Sequence, residues 1–275
     1  MSANDLINVG VVGVGTIGDA VCEALDHSKI RGKRPKAILN NINPTPYDSL
    51  AVKDIAAMLE SCDIIVEALP PEIVPSIAIP TLQANKTLIL ITSGALMTYP
   101  DILKTLAHSE GRILVPYGAL LNVPEINALK NIDISQAQIT STKPPSGFGL
   151  DKIESPRIMF EGSATDAVAK YGKNANVGVS VALAARLAGH AMRVKIIADP
   201  AATGNTHHIE ASGPREKLDN QATNKPSKNP KTSQGTAASV IDCLRDPANA
   251  MVELDAKAAR YFLEINNFAP TIEAA

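Results

Sequence analysis

The fold is decided by residues 7–18, which read Ile-Asn-Val-Gly-Val-Val-Gly-Val-Gly-Thr-Ile-Gly. A short β-branched run leads into a G-x-G-x-x-G motif, and residues 19–28 then have a helical pattern. Gly13 permits the tight turn, Gly15 lets a pyrophosphate approach the backbone, and Gly18 lets the helix pack close to the strand. N–H groups at the start of that helix favour anionic phosphate. The stretch predicts a dinucleotide-binding site, and an ordinary turn between strand and helix is the alternative.

Strands and helices alternate through the first half of the chain. Apolar runs predict strands at residues 36–40, 63–68, 87–92 and 112–115. Helices are predicted between them at residues 50–61, 71–84 and 100–109. Near-continuous apolar strands are typical of a parallel sheet with helices on both faces. We therefore expect an α/β protein with an N-terminal Rossmann domain over residues 1–118.

The pattern changes after about residue 130. Polar and apolar residues alternate over 132–142, which predicts a sheet with one solvated face. Strands at 192–198 and 207–212 and helices at 164–171 and 177–189 are predicted after it. We expect a C-terminal α+β domain with a mixed or antiparallel sheet over residues 119–233. Helices predicted at 233–244 and 249–262 lie in the segment of about 234–275 that we expect to return to the first domain.

Composition narrows the class of protein. The chain has 45% apolar and 20% charged residues, which is enough to bury a core. Its net charge of −2 and 3% aromatic content do not support binding to nucleic acid or an anionic membrane surface. The sequence has no apolar run of membrane-spanning length and no signal-peptide pattern, and its three cysteines are scattered. We expect a cytoplasmic protein without a metal site, since no His, Cys or carboxylate residues have metal-ligand spacing.

Loops that follow the predicted strands are the candidates for cofactor binding. Ligands of such folds lie outside the carboxyl ends of the strands. Small residues in these loops suit a flat nicotinamide ring, although they would also allow tight packing of helices on strands. The predicted cofactor-binding residues are Gly13, Gly15, Thr16, Ile17, Gly18, Asn40, Ala68, Ser93 and Gly94.

The sequence leaves open whether NAD or NADP is the cofactor. Asn40 stands where a carboxylate would bind the ribose 2′-hydroxyl and repel a 2′-phosphate. Basic residues lie just upstream, and Arg34 is a candidate neighbour of such a phosphate. A solvated basic segment explains the same residues equally well, so either cofactor is compatible with the sequence.

His207 and His208 are the candidate acid–base residues. A histidine titrates near neutral pH and suits proton transfer. Neighbouring side chains of an extended segment point to opposite faces, so only one of the two can serve a given site. The residues alone leave open which one, and a structural role for either is the alternative.

Motifs in the second half resemble a known family. They are Thr142-Lys143-Pro144-Pro145, Phe160-Glu161-Gly162-Ser163, Asn174-Ala175-Asn176-Val177, Ala198-Asp199-Pro200-Ala201, Asn205-Thr206-His207 and Asn229-Pro230-Lys231-Thr232-Ser233. The first half adds Val66-Glu67-Ala68, Ser93-Gly94-Ala95-Leu96 and Gly118-Ala119. This ordered set resembles the L-aspartate dehydrogenase family over nearly the whole chain. The resemblance implies NAD(P)-dependent oxidative deamination of L-aspartate to iminoaspartate, then oxaloacetate and ammonia, or the reverse reductive amination.

The resemblance also implies roles for individual residues. His207 matches the catalytic histidine of the family, and Ala119 and Asn176 match its cofactor contacts. The family is typically a homodimer, which implies that residues 119–233 serve in catalysis and dimerisation. Two substrate carboxylates need cations or N–H donors, and Lys143 and Lys231 are the candidates, with solvated surface lysines as the alternative.

One departure from the family leaves the substrate open. The family usually continues Gly-Gly-Leu-Asp after the Gly-Ala pair, whereas this chain has Leu120-Leu121-Asn122-Val123 after Ala119. Without these glycines, the space beside the nicotinamide ring is narrower and the backbone can adopt fewer conformations. A dehydrogenase for a related amino acid, an NADPH-dependent imine reductase and a non-catalytic NAD(P)-sensing protein are therefore the alternatives.

Overall fold

The computed structural model describes residues 6–40, 45–120, 123–131, 134–225 and 234–268. Within them the chain forms two compact units. The first contains the chain up to Pro116 and takes it up again at Ala237, and the second is Tyr117–Thr236.

Strands and helices alternate along much of the chain. The strands are β1 (Ile7–Val12), β2 (Lys33–Leu39), β3 (Ile64–Glu67), β4 (Thr87–Leu90), β5 (Arg112–Val115), β6 (Gln136–Lys143), β7 (Arg157–Ser163), β8 (Arg193–Ala198), β9 (Asn205–Ser212), β10 (Lys217–Asn224) and β11 (Val252–Leu254). The helices are α1 (Thr16–Asp26), α2 (Ile55–Leu59), α3 (Val74–Gln83), α4 (Ala95–Thr98), α5 (Asp101–Ala107), α6 (Val123–Ala128), α7 (Ala164–Tyr171), α8 (Asn176–Ala184), α9 (Gln234–Arg245) and α10 (Ala256–Ile265).

The first unit is built on a six-stranded sheet in the order β11-β5-β4-β3-β1-β2. Strands β1 to β5 run parallel, and β11 pairs antiparallel with β5. Every residue of β3 is buried, as expected for a strand covered on both faces. Val240 and Leu244 of α9 share the core of this sheet with Val9 and Val11 of β1. The mostly parallel α/β unit confirms the predicted Rossmann-type fold.

The second unit is built on a five-stranded sheet in the order β10-β9-β6-β8-β7. Strands β6 and β8 run parallel and the other neighbours antiparallel, which confirms the predicted mixed sheet. Burial alternates along β6 and β9, so the sheet has one buried and one more exposed face. Helix α8 packs on the buried face at Gly178, where a Cβ would lie 2.7 Å from Val194 Cγ2.

Tertiary pairing overturned the sequence-based prediction of one helix over residues 50–61. This segment contains a 3-10 turn at Asp48–Leu50 and then α2, which begins only after the N-cap Asp54. The Asp54 side chain accepts a hydrogen bond from Ala57 N at 2.8 Å. Between the turn and the helix, Ala51 forms a parallel bridge with Ile38, which keeps the backbone extended there.

Two strands escaped the sequence analysis because pairing with a neighbouring strand, and not their own residues, makes them strands. The predicted helix over 249–262 is wrong in its first half, where β11 pairs with β5 before α10 begins at the N-cap Asp255. Strand β10 was not predicted, since its sequence Lys-Leu-Asp-Asn-Gln-Ala-Thr-Asn lacks aromatic residues and has a single β-branched one. Pairing with β9 along all eight residues of β10 supplies its hydrogen bonds instead.

Candidate active site

The glycine loop joins β1 to α1 at the carboxyl edge of the six-stranded sheet. Gly13 has φ +87°, and a Cβ there would lie 2.6 Å from the Ala68 carbonyl oxygen. A Cβ on Gly18 would collide with the Gly13 carbonyl oxygen, so this glycine is needed for the close approach of helix and loop. At Gly15, by contrast, a Cβ would meet nothing within 4 Å.

Open space at Gly15 fits a pyrophosphate. Gly15 is the N-cap of α1 and has no side chain to cap the first turn, which exposed Thr16 and half-buried Ile17 begin. Phosphate oxygens would accept hydrogen bonds from N–H groups of this turn, at the positive end of the helix dipole. A side chain on Gly15 would fill the space that the phosphates need, so the loop suits the cofactor predicted for it.

Asn40 follows β2 and contacts the glycine loop directly. Its Oδ1 accepts a hydrogen bond from Val14 N at 3.3 Å. Arg34 lies near the opposite end of β2, where its Nε donates to Asn8 Oδ1 at 2.8 Å. Six residues of strand separate Arg34 from Asn40, about 20 Å at the usual rise. The structure therefore places Arg34 at the amino edge of the sheet, away from the loop that would hold phosphate.

Ala68, Ser93 and Gly94 lie in loops that follow β3 and β4 at the same edge as Gly13. Ala68 N donates to Val12 O at 2.9 Å, which holds the loop after β3 against the end of β1. Ser93 is fully buried, and Gly94 is the N-cap of the short helix α4. The structure thus brings together the predicted cofactor-binding residues of the first unit along one edge.

His207 lies on the buried face of the five-stranded sheet and is only 2% exposed. It is directly opposite Ser141 of β6, and Ser141 Oγ lies 2.9 Å from His207 Nδ1. Burial, and then the charge of Lys143, lower the pKa of His207 to about 3. The imidazole is therefore neutral near pH 7 and has a nitrogen that can accept a proton.

Lys143 ends β6 on the same buried face as Ser141 and is 6% exposed. Burial lowers the pKa of Lys143 to about 8. A buried ammonium group of this kind is a candidate for binding a substrate carboxylate. Lys231, the other lysine predicted for this task, lies outside the described residues, as do Leu121 and Asn122.

Ala119 is tied to the strands beside His207 through Asn224 of β10. Asn224 Nδ2 donates to Ala119 O at 2.7 Å, and Asn224 is the register partner of Asn205 on β9. Asn176, the other predicted cofactor contact of this unit, is the first residue of α8, the helix on this face. Three polar residues that the sequence analysis did not select therefore belong to this cluster: Ser141, Asn205 and Asn224. Alternate residues of a strand face the same side, so Ser141 and Asn205 are buried on the same face as His207. This alternation was the one sequence signal that could have identified Ser141 and Asn205.

His208 points to the other face of the sheet. Its Nε2 lies 2.7 Å from Asp219 Oδ1, and its Nδ1 lies 4.0 Å from Glu210 Oε2. In the part of the chain that the structure describes, these three side chains are the one group whose ligand atoms could converge on a metal ion. They come from two strands, so sequence spacing does not reveal them, and His208 contacts both carboxyl groups.

No helix among the described residues is long and apolar enough to cross a membrane.

Comparisons with known proteins agree with the two-unit architecture. Residues 13–116 match a family model described as the NAD binding domain of homoserine dehydrogenase. Residues 125–247 match a model described as the C-terminal part of aspartate dehydrogenase.

Curated relatives match nearly the whole chain. L-aspartate dehydrogenase 3 of Bordetella bronchiseptica is 32% identical over 263 residues, which cover 89% of this chain and 96% of the relative. L-aspartate dehydrogenase of Methanosarcina mazei is 30% identical, with 89% of this chain and 98% of that protein covered. The crystal structure of aspartate dehydrogenase from Thermotoga maritima shares the fold, with a TM-score of 0.68 at 22% identity over 88% of this chain and 96% of that one. Together these matches show that the chain belongs to the L-aspartate dehydrogenase family.

Proposed function

We propose that this protein catalyses the NAD(P)-dependent oxidative deamination of L-aspartate, or its reversal, with His207 as the acid–base residue. The observation that carries the proposal is the buried, neutral imidazole of His207, held by Ser141 on the face that also buries Lys143. The curated relatives named L-aspartate dehydrogenase, 30–32% identical to this chain, support the same substrate.

His207 would move the protons of the reaction. A neutral amine is required before hydride can leave Cα, and a neutral imidazole can accept the proton that the substrate ammonium group releases. In the tautomer proposed here, Nδ1–H donates to Ser141 Oγ, so Nε2 is the unprotonated nitrogen left for proton transfer. The same nitrogen would then assist water in adding to iminoaspartate, which yields oxaloacetate and ammonia.

Lys143 would bind a carboxylate of the substrate. Burial is the larger cause of the lowered pKa of His207, and a dicarboxylate beside Lys143 would offset the smaller cause, the positive charge of Lys143. Substrate binding would therefore raise the basicity of His207 at the moment when a base is needed. Lys231 is proposed for the second carboxylate, on its sequence match alone.

The cofactor would be held by the residues predicted for it. Gly13, Gly15, Thr16, Ile17 and Gly18 would bind the pyrophosphate, and Asn40 would lie near the adenosine ribose. Ala68, Ser93 and Gly94 are proposed to contact the nicotinamide half. Ala119 and Asn176 are proposed as cofactor contacts from the resemblance to the family. When bound, the nicotinamide supplies the hydride acceptor, which no side chain of the protein can replace.

The two units would divide this work. We propose residues 1–118 and the returning C-terminal segment as the cofactor domain and residues 119–233 as the catalytic and dimerisation domain. The proposal of a homodimer rests on the resemblance to the family. The buried free cysteines Cys22, Cys62 and Cys243 support a location in the reducing cytoplasm.

The test is turnover in both directions by the purified protein. NADH and NADPH oxidation would be followed by absorbance with oxaloacetate and ammonium, beside reduction of NAD and NADP with L-aspartate. Turnover in either direction is expected. Tight binding of NADH without turnover of L-aspartate or oxaloacetate would overturn the proposed substrate and direct the search to other amino or imino acids.

A further inference from the structure

We propose that Glu67 is a positioning residue that fixes two cofactor loops to each other through its buried carboxyl group. The inference rests on the proposed cofactor site, since it concerns the loops that would hold the nicotinamide half. Among the described residues, Glu67 is the one acidic residue whose side chain is fully buried, at 0% exposure.

Glu67 is the last residue of β3, and its side chain reaches the end of the neighbouring strand β4. Oε1 accepts hydrogen bonds from Leu69 N at 2.6 Å and from Thr92 Oγ1 at 3.0 Å. Oε2 accepts from Ile91 N at 3.1 Å and from Thr92 N at 2.9 Å. One carboxyl group therefore binds both the loop after β3 and the loop after β4.

Thr92 closes this connection from the other side. Its hydroxyl lies 3.0 Å from both Leu69 O and Glu67 Oε1, and its one hydrogen can be donated to either oxygen. In the loop after β3, Glu67 binds the Leu69 N–H, and Thr92 of the loop after β4 lies within hydrogen-bond distance of the Leu69 carbonyl oxygen. The neighbours Ala68 and Ser93, both proposed to contact the cofactor, are fixed in consequence.

The loop after β3 also contacts the glycine loop. Gly13 lies so close to the loop after β3 that a Cβ on it would be 2.6 Å from Ala68 O and 3.0 Å from Leu69 Cδ2. Ala68 N is also bonded to Val12 O, next to Gly13. These contacts between the glycine turn and Ala68 do not involve Glu67, so the glycine turn is expected to keep its place when the carboxyl group is changed.

Burying a carboxyl group at this position costs folding free energy. Burial raises the pKa of Glu67, because the charged form loses its hydration, while the hydrogen bonds from Leu69, Thr92 and Ile91 act in the opposite direction. An apolar side chain of similar volume would avoid this cost but would leave the N–H groups of Leu69, Ile91 and Thr92 without their acceptor. The carboxyl group is therefore suited to holding the two loops at fixed positions.

An amide cannot replace the carboxyl group. Three backbone N–H groups converge on the two oxygens, so in either orientation the NH₂ of a glutamine would face at least one of them donor to donor. A buried N–H that loses its acceptor keeps the full penalty of its desolvation, so this arrangement is unfavourable. Glu67→Gln therefore keeps side-chain volume and forces one of the two loops to move.

The experiment measures binding of NADH and of ADP-ribose to wild-type protein and to Glu67→Gln. ADP-ribose lacks the nicotinamide, so it reports on the glycine loop and the adenosine end alone. We expect the Kd of NADH to rise by roughly tenfold or more, in line with one lost buried hydrogen bond. The Kd of ADP-ribose should change by less than about threefold, below 1 kcal/mol.

Two further variants separate positioning from loss of stability. Thr81→Val removes another buried hydrogen bond of the first unit, from Thr81 Oγ1 to Ile77 O, and should lower Tm without changing the Kd of NADH. Thr92→Val removes one donor to Glu67 and keeps the carboxyl group, so it should raise the Kd of NADH by a smaller factor. If Glu67→Gln does not fold, Thr92→Val still tests the inference through the Kd of NADH.

Unchanged NADH binding in both Glu67→Gln and Thr92→Val would overturn the inference. An equal loss of NADH and ADP-ribose affinity in Glu67→Gln would also overturn it, since the role would then be general stability of the unit. Wild-type protein that binds NADH but does not turn over L-aspartate would refute the proposed substrate alone. Wild-type protein that binds neither ligand would refute the cofactor site and this inference together.

Discussion

The two sheets of this protein carry their polar groups in different places. In the six-stranded sheet the candidate residues lie in loops at the carboxyl edge, as Gly13 and Ser93 do, and offer backbone N–H groups. In the five-stranded sheet they lie within the strands, where Ser141 and His207 face each other on the buried side. At the carboxyl edge of a sheet, backbone N–H groups bind phosphate, so few particular side chains are needed. Within a strand, a side chain on the buried face is held away from water, and this burial sets its protonation state.

Removing the buried imidazole should have the largest effect. His207→Ala is expected to lower kcat by about 10³-fold, within the range for loss of a general acid–base residue. The Kd of NADH should stay within about threefold of wild type, since the glycine loop is unchanged. Steady-state kinetics and NADH titration check both values, with His208→Ala on the opposite face as the matched control. Equal losses of turnover and NADH binding would show that His207 is structural.

The second largest effect is expected from a side chain that fills the space at Gly15, at the carboxyl edge of the six-stranded sheet. Gly15→Val is expected to raise the Kd of NADH by about 100-fold, or ~2.7 kcal/mol, because the side chain occupies the space for phosphate. Tm should hardly change, since a Cβ at Gly15 meets nothing within 4 Å and the φ of −89° suits any residue. Gly18→Ala is the contrast, because its Cβ collides with the Gly13 carbonyl oxygen and should lower Tm. Tight NADH binding by Gly15→Val would place the phosphates elsewhere.

Acid should destabilise the protein through the buried histidine. The pKa of His207 is lowered from 6.5 to about 3, so between these values the unfolded chain binds one more proton. The stability that neutral His207 provides is complete above pH 6.5 and is lost as pH falls towards 3. At pH 5 the loss is ~2 kcal/mol.

Denaturant unfolding at pH 7 and pH 5 checks this sign. His207→Gln should lose stability less steeply with acid than wild type does, whereas His208→Gln should follow wild type. Parallel acid sensitivity in His207→Gln and wild type would contradict a buried neutral imidazole.

The smallest expected effect is on cofactor choice at the end of β2. Asn40→Asp keeps an oxygen for Val14 N and adds a charge that repels a 2′-phosphate. The ratio of kcat/KM for NAD over NADP should rise by about fivefold, or ~1 kcal/mol. Rates with both cofactors measure the ratio, and Arg34→Gln at the opposite edge should leave it unchanged. An unaltered ratio in Asn40→Asp would remove Asn40 from the ribose site.

Local patterns predicted much of this molecule. The strand bounds at β5 and the helix bounds at α7 agree with the sequence-based prediction to the residue, because each segment carries its own periodicity and flanking signals. The glycine loop is equally local, since all its parts lie within residues 7–18. The roles proposed for its residues stay predictions until binding is measured.

Other features depend on pairing between segments, and a segment's own residues do not indicate them. β11 is a strand because it pairs with β5, which is far away in sequence, and β10 is a strand because it pairs with the adjacent β9. The Glu67 network is of this kind, since its donors at Ile91 and Thr92 lie 24 and 25 residues away. So is the cluster of Ser141 and His207, which are 66 residues apart.

The sequence by itself determined the two fold classes, the glycine loop and the family resemblance, because each is written in short contiguous patterns. Only the tertiary structure decided that His207 is buried while His208 faces the opposite side, that Arg34 lies at the wrong edge for phosphate, and that Glu67 joins two loops. The physical reason is that burial and hydrogen bonding are properties of what surrounds a side chain. Those surroundings are supplied by strands and loops that meet only when the sheets have formed.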